Sequence, residues 1–228
     1  MRLIKWEYLP QELQNSEVKP YYNQLLKKKK SLLLKRLFDI FGSVILIIIL
    51  LPVILIIGLV IKITSKGRII YKQCRVTQYG RQFTIYKFRT MIEDADKIGS
   101  LVTHKKDTRI TKVGTILRKY RLDELPQLVN IFLGDMTFVG ARPEVLKYVE
   151  AYNDEMLATL LLPAGVTSET SIRFKDEDQL LDNVENIDEV YIREVLPQKM
   201  LFNLNYLKEF GLYKDIKIIL TTIQEVFF

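Results

Sequence analysis

The feature that most constrains the fold is an uncharged run at residues 40–61, which is dominated by Ile, Leu and Val. As an α-helix, a run of this length would reach about 33 Å, which matches the hydrocarbon core of a bilayer. The run starts too late in the chain and is too long for a cleaved signal peptide. The sequence therefore predicts a membrane helix that is retained.

Pro52 stands inside this run, and a proline removes one helical hydrogen bond and clashes with the carbonyl four residues earlier. We therefore expect a kink at Pro52. Both flanks of the run are basic, with Lys27, Lys28, Lys29, Lys30, Lys35 and Arg36 before it and Lys62, Lys66, Arg68 and Lys72 after it. Basic flanks favour the cytoplasmic side, so a re-entrant helix that enters and leaves one leaflet satisfies both ends. A straight span that the proline merely bends remains equally open.

Positive charge is concentrated in the middle of the chain. The net charge is +7, and residues 66–122 carry fifteen basic side chains against four acidic ones. Such a segment suits the phosphates of a small molecule, an anionic membrane surface or a nucleic acid backbone. Cys74 is the one cysteine and His104 the one histidine, which excludes a disulfide framework and a Cys/His metal cluster. Any metal here should be oxygen-ligated.

The chain divides into three predicted parts. Residues 1–31 show no sustained periodicity and are interpreted as a peripheral N-terminal arm, and residues 32–64 form the membrane helix. Residues 65–228 form one compact unit, which opens with a β-hairpin at residues 68–75 and 83–88. Helical patterns follow at Val113, Ile116 and Leu117, at Leu128, Ile131 and Phe132, and at Val145, Val149, Tyr152 and Met156. Residues 212–228 are apolar on more than one side, which fits a buried helix or one in the membrane interface. The predicted fold class is α+β, mostly helical.

Asp123 and Glu124 are adjacent carboxylates between the end of a basic helix and a helix that starts at Pro126. Free backbone N–H groups and the positive end of a helix dipole favour the ionised carboxylates there. Such a pair could bind Mg²⁺, act as a base or attack phosphorus to form an acyl phosphate. The alternative without chemistry is a pair of helix-capping residues.

Five sequence blocks stand in a fixed order within residues 33–220. They are residues 36–39 (RLFD), 73–76 (QCRV), 86–91 (YKFRTM), 122–127 (LDELPQ) and 134–144 (GDMTFVGARPE). Taken together, these blocks resemble the bacterial sugar transferases, the monotopic polyprenyl-phosphate phosphoglycosyl transferases that start lipid-linked glycan synthesis.

The resemblance implies a reaction and a topology. It implies a re-entrant helix bent at Pro52 and a catalytic domain at residues 65–228. It further implies that Asp123 attacks the sugar-bearing phosphate of a UDP-sugar, releases UMP and carries the phosphosugar until polyprenyl phosphate collects it. Glu124 would help Asp123 to bind Mg²⁺ or orient the lipid phosphate.

Four basic residues occupy positions that the resemblance assigns to phosphate binding: Lys87, Arg89, Arg118 and Arg142. A guanidinium can hold two phosphate oxygens at once, which suits the arginines to this role. The alternative for each is a solvated surface position, and for Arg89 the two readings are evenly balanced.

The implied partners are a UDP-sugar donor, a polyprenyl phosphate acceptor and membrane lipid, with no nucleic acid; a homodimer stays open. The implied location is the bacterial inner membrane, with interface-lying amphipathic helices and the catalytic domain facing the cytoplasm. A different class of function would be a catalytically inactive membrane module that binds anionic lipid or nucleic acid.

The chain departs from the resemblance at several positions. Leu51 stands where many relatives have serine, and Thr77 and Ala141 stand where glycine and proline are usual. Residues 162–173 lack the Gly-Trp-Ala-Gln segment of most relatives, so no role is transferred to them. Asp215 resembles a late aspartate of the family, for which we expect a structural ion pair.

Overall fold

The computed structural model describes residues 1, 3–95, 107–174 and 186–227, so His104 lies outside the described residues. This part is mostly helical with a small amount of β-structure, in agreement with the predicted α+β class. The helices are α1 (Val18–Lys27), α2 (Lys29–Thr64), α3 (Lys112–Lys119), α4 (Gln127–Leu133), α5 (Leu146–Val149), α6 (Glu169–Arg173), α7 (Ile187–Val190), α8 (Leu196–Glu209) and α9 (Leu212–Phe227). The strands are β1 (Ile70–Val76), β2 (Gln82–Phe88), β3 (Met136–Val139) and β4 (Ala164–Thr167).

Helix α2 contains the apolar run and is long and apolar enough to cross a membrane. It begins at Lys29, three residues before the predicted membrane segment, and it continues through Pro52 without a break. Only 17% of its most apolar stretch is buried, and most side chains of its central part are exposed. The helix is therefore available to a bilayer over its middle, while its kinked, re-entrant path stays a prediction.

Both ends of α2 pack against the rest of the molecule. Towards its start, Asp39 accepts hydrogen bonds from the Thr137 hydroxyl at 2.8 and 2.9 Å and from the backbone N–H of Phe138 at 3.1 Å, both in β3. Towards its end, Ile57 and Ile61 are buried in an apolar cluster with residues of β2 and α3. One body of protein therefore contacts the helix on both sides of its exposed middle.

A buried ion pair connects α2 to the last helix. Lys35 Nζ lies 2.7 Å from Asp215 Oδ2 in α9, and both side chains are 1% exposed. The Tyr206 hydroxyl donates to the other oxygen of Asp215 at 2.6 Å. The expectation that Asp215 forms a structural ion pair is confirmed.

The N-terminal arm is not peripheral, so that part of the prediction was wrong. Helix α1 buries Val18, Tyr21, Tyr22 and Leu25, whose spacing places them on one helical face. They belong to the same apolar cluster as residues of α8 and of the 3₁₀ segment Met156–Leu161. The arm is therefore part of the main core.

The predicted hairpin is confirmed. Strands β1 and β2 pair antiparallel from Ile70 opposite Phe88 to Val76 opposite Gln82. The turn contains Tyr79 and Gly80, both with positive φ. The register carries Lys87, near the end of β2, to the edge of the site described below.

The sequence analysis did not predict that β3 and β4 pair in parallel, with Met136 opposite Ala164. The chain after β3 passes very close to β4, because a Cβ atom on Gly165 would lie 2.1 Å from the backbone nitrogen of Gly140. Only glycine allows two backbones to approach in this way. The pair brings the divergent segment, residues 162–173, beside residues 134–144.

The helical patterns of the later chain are confirmed in part. Helices α3 and α4 occur where the patterns indicated, whereas the pattern through Val145, Val149, Tyr152 and Met156 does not form one helix. Helix α5 ends at Val149, and the side chain of Asn153 accepts a hydrogen bond from the Met156 N–H at 2.9 Å. Asparagine favours such local turns over a continuous helix.

Candidate active site

An open cleft with a volume of about 1220 Å³ contains most of the predicted site residues. Its lining comes from the hairpin, the segment that carries the Asp-Glu pair, β4, α6 and the end of α9. Pockets for a small molecule usually measure about 300–1,000 Å³. The cleft is therefore roomy enough for a ligand larger than a typical metabolite.

Asp123 and Glu124 lie in a single 3₁₀ turn, Leu122–Glu124, between α3 and α4. Arg121 precedes this turn with φ of 51°, a left-handed conformation that reverses the chain direction at the end of α3. Pro126 then leads directly into α4. Both carboxylates are buried, being 9% and 8% exposed, and both line the cleft.

Glu124 is held by two cations. Lys87 Nζ and the Arg142 guanidinium lie 3.0 and 3.1 Å from the same oxygen, Oε1. Burial acts to raise the pKa of Glu124, but the charges of Lys87, Arg142 and Arg121 outweigh it and hold that pKa well below its usual value. Glu124 is therefore ionised, and its two cationic partners fix the orientation of its carboxylate.

Asp123 differs from its neighbour. No hydrogen bond or ion pair to its carboxylate is formed within the described part of the chain. Burial raises the pKa of Asp123, and the adjacent negative charge of Glu124 raises it further. The positive charges of Lys87, Arg118 and Arg142 act in the opposite direction. Asp123 is thus a carboxylate that faces the cleft and accepts no hydrogen bond from the described residues.

Arg118 is fixed beside Asp123 by the packing of α3. The helix is capped by Thr111, whose hydroxyl accepts from the N–H of Gly114 at 2.9 Å. A Cβ atom on Gly114 would lie 2.0 Å from the carbonyl oxygen of Thr90, so glycine lets α3 lie close to this strand end. Arg118 Nε then donates to the Thr90 hydroxyl at 2.9 Å, and the side chain lines the cleft.

Arg89 lines the cleft, but its guanidinium has protein partners. Its nitrogens donate to the backbone carbonyls of Lys66 and Ser65 at 2.5 and 3.0 Å, and to the Ser65 hydroxyl at 2.6 Å. These bonds fix the chain where α2 ends. Arg89 is buried, so the alternative of a solvated surface position was wrong, and its phosphate-binding role stays a prediction.

The sequence analysis missed a buried network that also lines the cleft. Glu144 Oε1 accepts from the Tyr191 hydroxyl at 2.6 Å and from Lys199 Nζ at 3.4 Å, while Lys199 also donates to Tyr191 at 2.7 Å. Burial acts to raise the pKa of Glu144, but Lys199 and Arg75 outweigh it and lower that pKa. Tyr191 opens a π-helical segment, a local distortion that is frequent at functional sites.

One available signal for this network was Glu144, which ends the block at residues 134–144. Tyr191 and Lys199 are far away in sequence, and no local pattern marked them. Arg121 was also missed, although it stands two residues before Asp123.

Asp123 and Glu124 could hold a divalent cation together with ligand oxygens. Within the described residues no group of three or more His, Cys, Asp or Glu side chains forms a cage for a metal. Mg²⁺ is commonly bound by one or two carboxylates plus phosphates and water, so a two-carboxylate site fits this ion. The metal ligands of the described residues are therefore too few for a pre-formed metal site that is built from protein side chains alone.

The chain is similar to known proteins along most of its length. Residues 30–228 match the sequence pattern of the family described as bacterial sugar transferase. The chain is 31% identical over 222 residues to the UDP-glucose:undecaprenyl-phosphate glucose-1-phosphate transferase of Escherichia coli, which covers 95% of this chain and 45% of that protein. It is 35% identical over 217 residues to galactosyl transferase CpsE of Streptococcus agalactiae, covering 90% of this chain and 44% of that protein.

A third relative is the UDP-N-acetylgalactosamine-undecaprenyl-phosphate N-acetylgalactosaminephosphotransferase of Aeromonas hydrophila, 31% identical over 196 residues. The match covers 85% of this chain and 43% of that protein. The chain thus spans less than half the length of these three relatives, and their names contain different sugars. Because the family pattern covers most of the sequence, the resemblance is confirmed: the chain belongs to the bacterial sugar transferase family.

Proposed function

We propose that the chain transfers a sugar 1-phosphate from a UDP-sugar to polyprenyl phosphate, as the first membrane step of glycan assembly. The observation that carries this proposal is the asymmetry of the two carboxylates. Glu124 is fixed by Lys87 and Arg142, whereas Asp123 faces the cleft and has no direct donor among the residues that the structure describes. A nucleophile needs free oxygens, and its neighbour must be fixed to orient the reacting groups.

In the first step an Asp123 oxygen attacks the sugar-bearing phosphorus of the donor. The bond from this phosphorus to the bridging oxygen breaks, UMP leaves with the electron pair, and an acyl phosphate joins the phosphosugar to Asp123. In the second step an oxygen of polyprenyl phosphate attacks the same phosphorus, and the Asp123 carboxylate leaves. The products are polyprenyl-diphosphate sugar and free enzyme, so kinetics of the ping-pong type are expected.

The cations around the pair stabilise the transferred phosphoryl group. Arg118 and Arg142 offer guanidinium forks to phosphate oxygens, and Lys87 adds a point charge beside Glu124. Mg²⁺ bound by Asp123 and Glu124 would neutralise part of the phosphate charge. The protein groups are already in place, so the reaction requires little reorganisation.

We propose that α2 is re-entrant, with Pro52 at its bend, and that residues 65–228 face the cytoplasm at the bacterial inner membrane. A straight span would carry the two ends of α2 to opposite sides of the bilayer. Asp39 and Ile61 lie on either side of the exposed middle of α2, and both pack against the same body of protein. This packing supports the re-entrant path, because in a straight span that body would have to extend through the lipid. The basic flanks favour the cytoplasmic side.

The test uses the full chain in detergent with Mg²⁺, polyprenyl phosphate and UDP-glucose, UDP-galactose and UDP-N-acetylgalactosamine as donors. We expect UMP release with at least one donor, and Asp123→Asn should reduce it below detection. Asp135→Asn is the matched control, because Asp135 pairs with Arg81 outside the cleft and its loss should leave the rate unchanged.

A second measurement tests the covalent step. Mass spectrometry of the wild-type chain with donor and without acceptor should show a phosphosugar adduct on Asp123. Release of UMP without any such adduct would contradict the two-step mechanism. Absence of UMP release across a broad donor panel would favour the inactive binding module instead.

A further inference from the structure

Arg121 has a strained backbone at the entrance to the catalytic turn. It is one of the non-glycine residues with positive φ among the described residues, and its carbonyl accepts from the Glu124 N–H at 3.3 Å. A left-handed conformation costs free energy for an arginine and little for glycine or asparagine. Strain of this kind is concentrated at functional sites, so the Arg121 side chain needs an explanation.

The charges around the pair leave a positive surplus. Two carboxylates, Asp123 and Glu124, face four cations. Lys87 and Arg142 are in direct contact with Glu124, whereas neither Arg118 nor Arg121 has an ion-pair partner among residues 3–95, 107–174 and 186–227. The surplus charge therefore lies on the two arginines that precede the turn, Arg118 and Arg121.

These two arginines differ in how firmly they are held. The Arg118 guanidinium donates to Thr90 at 2.9 Å, whereas the hydrogen bond of Arg121 within the described residues is a long one, 3.4 Å, to the Ser171 carbonyl. Ser171 belongs to α6, in the segment that diverges from relatives, and both Arg121 and Ser171 line the cleft. The Arg121 guanidinium thus acts on Glu124, lines the same cleft as Asp123 and has donors available to a ligand.

We infer that Arg121 binds a phosphate group of a substrate beside Asp123, and that α6 supports this arginine through the Ser171 carbonyl. This inference rests on the proposed function and adds to it a residue that neither the motifs nor the relatives' names indicate. The phosphate belongs to the nucleotide donor or to the polyprenyl acceptor. A planar fork at this position can take two oxygens of either one.

Because the backbone of Arg121 is left-handed, its side chain can be replaced without disturbing the turn. Arg121→Gly and Arg121→Asn remove the cation and tolerate the positive φ, so the turn should keep its shape. Arg121→Lys keeps the charge and loses the fork. Arg81→Ala is the control, because Arg81 is an exposed arginine that pairs with Asp135 and does not line the cleft.

Equilibrium binding of UMP, with uridine as the phosphate-free comparison, measures the donor side on the full chain in detergent with Mg²⁺. Binding of a short-chain polyprenyl phosphate measures the acceptor side. We expect Arg121→Gly and Arg121→Asn to weaken one of these ligands about tenfold or more, with partial recovery in Arg121→Lys. Uridine binding, the melting temperature and all constants of Arg81→Ala should stay close to wild type.

Constants for both phosphate ligands within twofold of wild type would overturn the inference, and so would a loss confined to the melting temperature. The same samples are assayed for UMP release. A wild-type chain that binds the ligands through Arg121 but releases no UMP would contradict the proposed function and support the inference. A wild-type chain that binds neither ligand would contradict both.

Discussion

The ion pair between Lys35 and Asp215 gives the sharpest prediction about stability. Lys35 stands one helical turn before Asp39, so its ammonium pairs with Asp215 and its positive charge also acts on the buried carboxylate of Asp39. Lys35→Met therefore leaves two buried acids without their cation. Asp215→Asn leaves the charge of Asp39 near Lys35, and an asparagine oxygen can still accept from Lys35 and Tyr206. The two variants remove the same ion pair, but they should not lower the free energy of unfolding by the same amount.

The magnitudes follow from burial, because water cannot reach side chains that are 1% exposed. Loss of one partner of such a pair costs about 3–5 kcal/mol, which we expect for Lys35→Met. A weakened hydrogen bond to a charged group costs about 1–3 kcal/mol, which we expect for Asp215→Asn. For a chain of this size, each kcal/mol lowers the melting temperature by about 2–4 °C.

The assay is thermal unfolding in detergent micelles, with Lys30→Met as the control because Lys30 is exposed on the same helix. The control should stay within about 0.5 kcal/mol of wild type. A melting temperature of Lys35→Met equal to or above that of Asp215→Asn would refute the reasoning. It would show that Lys35 does not neutralise Asp39.

Three further predictions concern the site and the core. Asp123→Asn should raise the melting temperature at pH 7. Folding raises the pKa of the Asp123 carboxyl, so its ionisation destabilises the folded state. The gain in melting temperature should vanish below about pH 4, where the aspartate is neutral in both states. Tyr191→Phe removes the hydroxyl that donates to Glu144 at 2.6 Å, and denaturant titration should show a loss of about 1–3 kcal/mol. Gly165→Ala places a methyl group against Gly140, so we expect a loss of about 1–3 kcal/mol or more and a poor yield of folded protein. An unchanged unfolding midpoint would contradict the raised pKa in Asp123→Asn and the named contact in Tyr191→Phe or Gly165→Ala.

Local patterns in the sequence predicted the hairpin, α3, α4 and the apolar part of α2, because each element depends on neighbours close in sequence. The same patterns failed where burial comes from distant residues. Helix α1 mixes tyrosines with lysines, an asparagine and a glutamine, and only contact with α8 and the Met156–Leu161 segment shows that its tyrosines are core residues. Strands β3 and β4 are four residues long, too short for a reliable periodicity.

The candidate site shows the same division. The family resemblance assigned roles to Lys87, Arg118, Asp123, Glu124 and Arg142, and the structure brings all five to one cleft. The partners of Arg89 at the end of α2, and the link from Arg121 to Ser171, depend on contacts across 23 and 50 residues of sequence. Spacing alone cannot reveal such contacts. The type of residue therefore predicted which side chains can bind phosphate. It did not predict which arginine has donors available for a ligand.

The pairing of α2 with α9 also fixes an order of events during biosynthesis. The ribosome completes α2 long before α9, so Lys35 emerges while Asp215 has not yet been translated. The hydrophobic segment can engage the lipid at that stage, but the pair between Lys35 and Asp215 cannot form until α9 has left the exit tunnel. Insertion can therefore begin before the active cleft, which α9 also lines, is complete.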